Sequence, residues 1–156
     1  MRIYVASSWR NLIQPGIVHV LRRIGHEVYD FRNPPNKSGF GWGQVNPNWK
    51  RTESGLASEG KVEPQVWREM LRHPIAERGY AADKSAIEWC DTILYVLPCG
   101  NSASWELGYA TAKGKRSFVL ALEPCEPELM FLASGILVSM DEVFEVFGEP
   151  KEDEAA

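Results

Sequence analysis

Five short apolar runs, at positions 2–6, 26–31, 92–97, 117–122 and 136–138, recur along the 156-residue chain, and stretches of helical periodicity separate most of them. Strands alternating with helices pair in parallel through right-handed crossovers, which predicts an open α/β fold with helices on both faces of one sheet. The expected architecture is a doubly wound, five-stranded parallel sheet of flavodoxin-like order 2-1-3-4-5. In that order strands one and three are neighbours whose following helices cover opposite faces, so a crevice opens at their carboxyl ends.

The helical segments carry their own punctuation. Asn11 to Ile24 has apolar residues at Leu12, Ile13, Ile17, Val20, Leu21 and Ile24, and Gly25 stops it. A helical pattern over 64–72 is broken by Pro74, and a further helix ends near Cys90. Lys113-Gly-Lys-Arg closes another helix with a glycine and terminal cations, and Ser139-Met-Asp-Glu has the pattern of a capping box before Val143, Phe144 and Phe147. Between them, 32–63 is rich in Pro, Gly, Asn and Ser and is expected to be a long loop.

With 44% hydrophobic residues the chain can bury one core, so 1–148 is expected as a single α/β domain followed by a charged tail, 149–156. A net charge of −4 and a pI near 5.4 lack the basic stripe that a nucleic acid polymer requires. Cys90, Cys99 and Cys125 form no C-x-x-C pair, and His19, His26 and His73 are far apart, so neither a disulfide framework nor a metal site is indicated. The chain enters a strand at once without a secretory h-region, and the nearly apolar run 129–140, about 12 residues, is too short for a bilayer. A soluble cytoplasmic protein with no membrane partner is expected.

Chemistry concentrates in Leu97 to Lys113, where an apolar strand ends in Gly100-Asn101-Ser102 and opens into a helix carrying Ser104, Trp105 and Glu106. Glu106 is expected in the first turn of that helix, where backbone N–H groups converge and a carboxylate can serve as nucleophile or ligand anchor. The same position equally suits a carboxylate that merely offsets the helix dipole. Asn101 or Ser102 can cap the helix, bind a ligand hydroxyl or phosphate, or do both. Ser7, Ser8 and Trp9, after the first strand, border the same crevice, and Trp9 and Trp105 are the aromatic residues best placed to touch a ligand. Phe40-Gly-Trp-Gly and Asn46-Pro-Asn-Trp in the long loop suit either a base-stacking lid or a satellite core with Phe40, Trp42 and Trp49.

Ile-Tyr-Val-Ala-Ser-Ser at 3–8, Asp83 with Ile87 and Cys90-Asp91, and Gly-Asn-Ser-Ala-Ser-Trp-Glu-Leu-Gly-Tyr-Ala at 100–110 together resemble the nucleoside 2-deoxyribosyltransferase family and its nucleotide N-hydrolase relatives. The resemblance covers 1–10 and roughly 80–122. It implies that Glu106 attacks the anomeric carbon to form a covalent glycosyl-enzyme, and that Asp83 contacts the departing base, although Asp83 also reads as a solvated carboxylate or an N-cap. It implies a small-molecule nucleoside or nucleotide substrate, no metal or organic cofactor, and a homo-oligomer. Six residues before Glu106 stands Gly100, where the transferases carry an aspartate for the sugar hydroxyl and some hydrolases a serine for phosphate. Without that aspartate, Ser102 and Ser104 with Ser7 and Ser8 can receive a 5′-phosphate. Two rival readings keep the crevice: a Toll/interleukin-1-receptor-like NAD hydrolase, and a nucleotide sensor without chemistry.

Overall fold

Thr-Ile-Leu-Tyr-Val at 92–96 is buried at every residue, as a strand covered on both faces must be. In the computed structural model, which describes residues 1–35, 39–49 and 61–150, this strand (β3) is the centre of a five-stranded sheet of order β2-β1-β3-β4-β5. The others are β1 (Arg2–Ala6), β2 (Glu27–Asp30), β4 (Arg116–Leu120) and β5 (Gly135–Leu137), and every pairing is parallel. Order and direction are those expected from sequence. Val5 lies opposite Leu94 and Ala6 opposite Tyr95, so β1 and β3 finish level and their carboxyl ends form one edge.

Alternation along the strands splits the core in two. Ile3, Val5, Leu94, Val96 and Leu120 pack with Ile17, Val18 and Leu21 of α1 (Gln14–Ile24) and with Val143 and Phe147 of α5 (Met140–Phe147). Burying each such side chain contributes about 1.5–3 kcal/mol. α4 (Asn101–Ala112) takes no part in that cluster; it packs on β1, β3 and β4 with Ala103, Leu107 and Ala110 buried.

Local chemistry sets the helix ends. α1 starts at Gln14, later than the apolar pattern predicts; Ile13 stands at the N-cap position, and Asn11, just before it, accepts through Oδ1 from the N–H of Ile13 (2.9 Å) and of Gln14 (3.2 Å), an orphan donor of the first turn. Gly25 ends it at φ 102°, with its N–H bonded to Arg22 O at 3.0 Å and that of His26 to Leu21 O at 3.1 Å. The capping box at 139–142 forms only by half: Ser139 Oγ accepts from the Glu142 N–H at 3.2 Å, but the Glu142 carboxylate takes the N–H of Val138.

The chain divides into two compact units, Met1–Asp30 with the chain from Ala86 onward, and Phe31–Ser85. The second holds α2 (Pro64–Leu71), most of α3 (Pro74–Trp89) and a short 3-10 turn, Trp42–Gln44. Within it the Phe40 ring lies 3.0 Å from where a Cβ on Gly79 would stand, and packs edge-on against Trp42. Phe40 and Trp42 thus join a satellite cluster on α3. The remainder of the expected 32–63 loop, at 36–38 and 50–60, and the tail from 151 lie outside the described residues.

At the other edge of the sheet Asp91 ties the entry of β3 to β1. Its carboxylate accepts from the Arg2 backbone N–H at 3.1 Å and from the Arg2 guanidinium, and the Asp91 N–H donates to Arg2 O at 2.8 Å. Those hydrogen bonds from Arg2 hold the Asp91 carboxyl down at about 2, from an ordinary 3.8. A carboxyl lowered by folding stabilises the fold above its unfolded value, and that contribution is lost as pH falls through the folded one. Asp91→Asn is therefore expected to be less stable than wild type near neutrality, with the difference closing between about pH 4 and pH 2. Urea unfolding across that range measures it.

Candidate functional site

The Val96 carbonyl, last of β3, receives three donors: Ser7 Oγ at 2.8 Å, Asn11 Nδ2 at 3.0 Å and Cys99 Sγ at 2.9 Å. Asn11 Nδ2 reaches on to Pro98 O at 3.3 Å, and the Leu97–Pro98 peptide between these carbonyls is cis. Two turns far apart in sequence, 7–11 and 97–100, are thereby pinned together at the β1–β3 edge, where the sheet order reverses direction. The turns after β1 and β3 thus meet at this edge, with Ser7 and Ser8 on the first and Ser102 and Ser104 on the helix that follows the second.

Several expectations about side chains need correction. α4 begins at Asn101 with Gly100 as its N-cap in extended conformation, so Glu106 stands in the second turn, and no acidic residue occupies the first. Its carboxylate is therefore not a simple partner for the exposed N–H groups of the helix end. Neither Asn101 nor Ser102 caps the helix through its side chain; both are exposed. Ser7 directs its proton across to Val96 O, and Ser8 Oγ accepts from the Arg10 N–H at 3.1 Å within its own turn. Ser104 Oγ pairs with the Tyr95 hydroxyl at 2.9 Å.

Glu106 is half-buried, and its charge acts on Cys99. Burial pushes the Cys99 thiol up to about 12; hydrogen bonds with Tyr95 and Ser7 oppose this only in part, and the neighbouring Glu106 carboxylate adds to it. The thiol stays protonated at neutral pH and the sulfur is no nucleophile there. Burial likewise raises the Tyr95 hydroxyl to about 12.

Another face of α4 forms the wall of a cavity of about 920 Å³. Gly100, Asn101, Ser104, Gly108 and Thr111 line it together with Tyr95, Glu123, Glu126, Glu128 and Phe131. Of the predicted site residues, Gly100, Asn101 and Ser104 thus border this cavity, whereas Glu106, Ser102, Trp105, Ser7, Ser8 and Trp9 are not part of its lining. Trp105 stacks on Tyr109 at 5.0 Å and 7°, half-exposed, and Trp9 is 52% exposed. Asp83 is the tenth residue of α3, in the Phe31–Ser85 unit; an interior helical position excludes the N-cap reading. Among the described residues no group of three or more His, Cys, Asp or Glu could hold a metal ion, and no helix is long and apolar enough to cross a membrane.

Sequence reasoning did not single out Asn11, Tyr95 or Cys99 as site residues. Asn11 carried a signal, a short polar residue directly before a helical run. Cys99 and Tyr95 carried none, because their part depends on where the turn folds back.

No protein-family model matches the sequence, and no curated protein matches it. Among solved structures the chain is similar to a 2-deoxyribosyltransferase from the psychrotolerant bacterium Bacillus psychrosaccharolyticus, described as a biocatalyst for the synthesis of antiviral and antitumoral nucleosides. The TM-score is 0.58 at 21% identity, over 96% of this chain and 97% of that one. At that identity the likeness is one of fold, and the strand order is the one expected from the alternation of strands and helices.

Cys99 and Cys125 should separate cleanly by reactivity. Alkylation with iodoacetamide at pH 8, followed by peptide mass spectrometry, is expected to modify exposed Cys125 at least about tenfold faster than half-buried Cys99.

Proposed function

We propose that the protein cleaves the N-glycosidic bond of a nucleoside or nucleoside 5′-monophosphate, with Glu106 as nucleophile, and passes the glycosyl group to water or to a second base. The observation that carries this reading is the position of Glu106, half-buried in the second turn of α4, the helix that opens from the turn after β3. The carboxyl edge of a parallel sheet at its reversal point is where such folds bind small molecules. The fold shared with a 2-deoxyribosyltransferase supports the same class of substrate.

In this reading a Glu106 oxygen bonds to C1′ as the C1′–N bond breaks, and the bond pair leaves with the base. An oxocarbenium-like transition state gains from a carboxylate already in place, since its charge opposes the one developing on the sugar. A proton must reach the leaving base, and Asp83 is assigned that part on the family resemblance. Water or a second base then attacks C1′ and releases the carboxylate, so the sugar keeps its configuration. The reading calls for neither a metal nor an organic cofactor. Gly100, in place of an acidic residue, leaves room at the turn for an anionic 5′ substituent, with Asn101, Ser102 and Ser104 following it on α4.

The resemblance also implies a homo-oligomer. Leu129, Met130 and Leu132, exposed at 76%, 80% and 83%, give the monomer an apolar surface that supports association.

Glu106→Gln and Glu106→Ala are expected to lower base release at least about 10³-fold while melting temperature and circular dichroism stay at wild-type values. Chromatography of nucleosides, nucleoside monophosphates and NAD, each with and without a second free base, measures it. Full turnover in either variant would refute the assignment.

A further inference from the structure

We infer that Asn11 is a positioning residue for Glu106: its carboxamide fixes the β3–α4 turn, and with it the start of the helix that carries the carboxylate, against the start of α1. The inference rests on the reading of Glu106 as the nucleophile.

Asn11 is 1% exposed, in a protein where few polar side chains are so deeply buried. A buried amide costs free energy unless its donors and acceptor are used, and here both ends are. Oδ1 accepts from the Ile13 and Gln14 N–H groups. Nδ2 donates to Val96 O at 3.0 Å and Pro98 O at 3.3 Å, residues 85 and 87 positions away in sequence. The backbone N–H of Asn11 bonds to Ser8 O at 3.0 Å, which anchors the side chain at its base.

The two ends do different work. The acceptor end caps α1, a task Asp or Ser performs as well. The donor end holds two carbonyls on either side of the Leu97–Pro98 peptide, immediately before Cys99, Gly100 and the first residue of α4. Only Asn, at this length, can do both. Leu97 is held from the far side by its N–H to Leu120 O at 3.0 Å, and Ser7 Oγ shares the Val96 carbonyl, so Asn11 holds the turn together with Ser7 and β4 and reaches past the Leu97–Pro98 peptide to Pro98 O. Removing the donor leaves the Ser7 and β4 bonds but frees the turn at Pro98 O, on the side that leads into α4. A nucleophile displaced by a fraction of an ångström loses rate without losing substrate affinity.

Asn11→Ser and Asn11→Asp separate the two tasks. Both keep a capping oxygen for α1; Ser is too short to reach Val96 O, and ionised Asp has no proton to give it. If Asn11 positions Glu106, both variants lower kcat about 10- to 100-fold with KM within about threefold of wild type. Hydrogen exchange at 99–104 then rises, while exchange across α1 is unchanged. The neutral Asn11→Ser variant keeps the test open should a buried charge prevent Asn11→Asp from folding. Wild-type kcat with wild-type exchange at 99–104 in Asn11→Ser would overturn the inference and leave Asn11 a helix cap. A raised KM at constant kcat would overturn it also, by making Asn11 a binding determinant. Absence of base release from the wild-type protein on every nucleoside and nucleotide would instead overturn the reading of Glu106, whatever the exchange data show.

Discussion

One carbonyl organises the carboxyl edge of this sheet. Val96 ends β3, and Ser7, Asn11 and Cys99 converge on its oxygen. An acceptor that gathers three donors from two turns makes those turns one body, and buried polar networks of this kind stiffen a site because each member is costly to leave unpaired. Every residue that gives the edge its character hangs from this point. Cys99 bonds back to Val96 O, Pro98 leads into Gly100, and Ser7 opens the β1–α1 turn.

The sheet beneath it explains why the edge exists. β3 is buried on both sides because α1 and α5 share one face while α4 packs on β1, β3 and β4, so consecutive βα units diverge at the β1–β3 boundary. At the opposite edge Asp91 and Arg2 bind the same two strands together. β1 and β3 are therefore clamped at both ends, by an exposed ion pair where they begin and by a buried carbonyl where they finish.

The architecture was legible because it is written in periodicity. Apolar runs, interrupted by helical spacing and closed by Gly25 and by Gly114 at φ 73°, specify strands and helices with little help from distant residues. The site was less so. That Glu106 stands near the sheet edge follows from strand–turn–helix order, but its turn of the helix depends on which backbone carbonyl starts the hydrogen-bond ladder. Gly100 in extended conformation moved that start ahead of the expected place. The partners of the serine hydroxyls were equally hidden: that Ser7 meets Val96 O and Ser8 the Arg10 N–H depends on how the turns fold. Asn11 shows the same limit from the other side. Its helix-facing half is a local pattern, whereas its partners at Val96 and Pro98 lie beyond any window a periodicity can scan.

Cys99 gives the edge a further property. An ionised thiol beside Glu106 would place two anions at one edge, repelling each other and any phosphate brought near. With the sulfur's proton retained and lent to a main-chain oxygen, the cysteine behaves as a small neutral wall. What would have been a competing reagent becomes part of the packing of the turn.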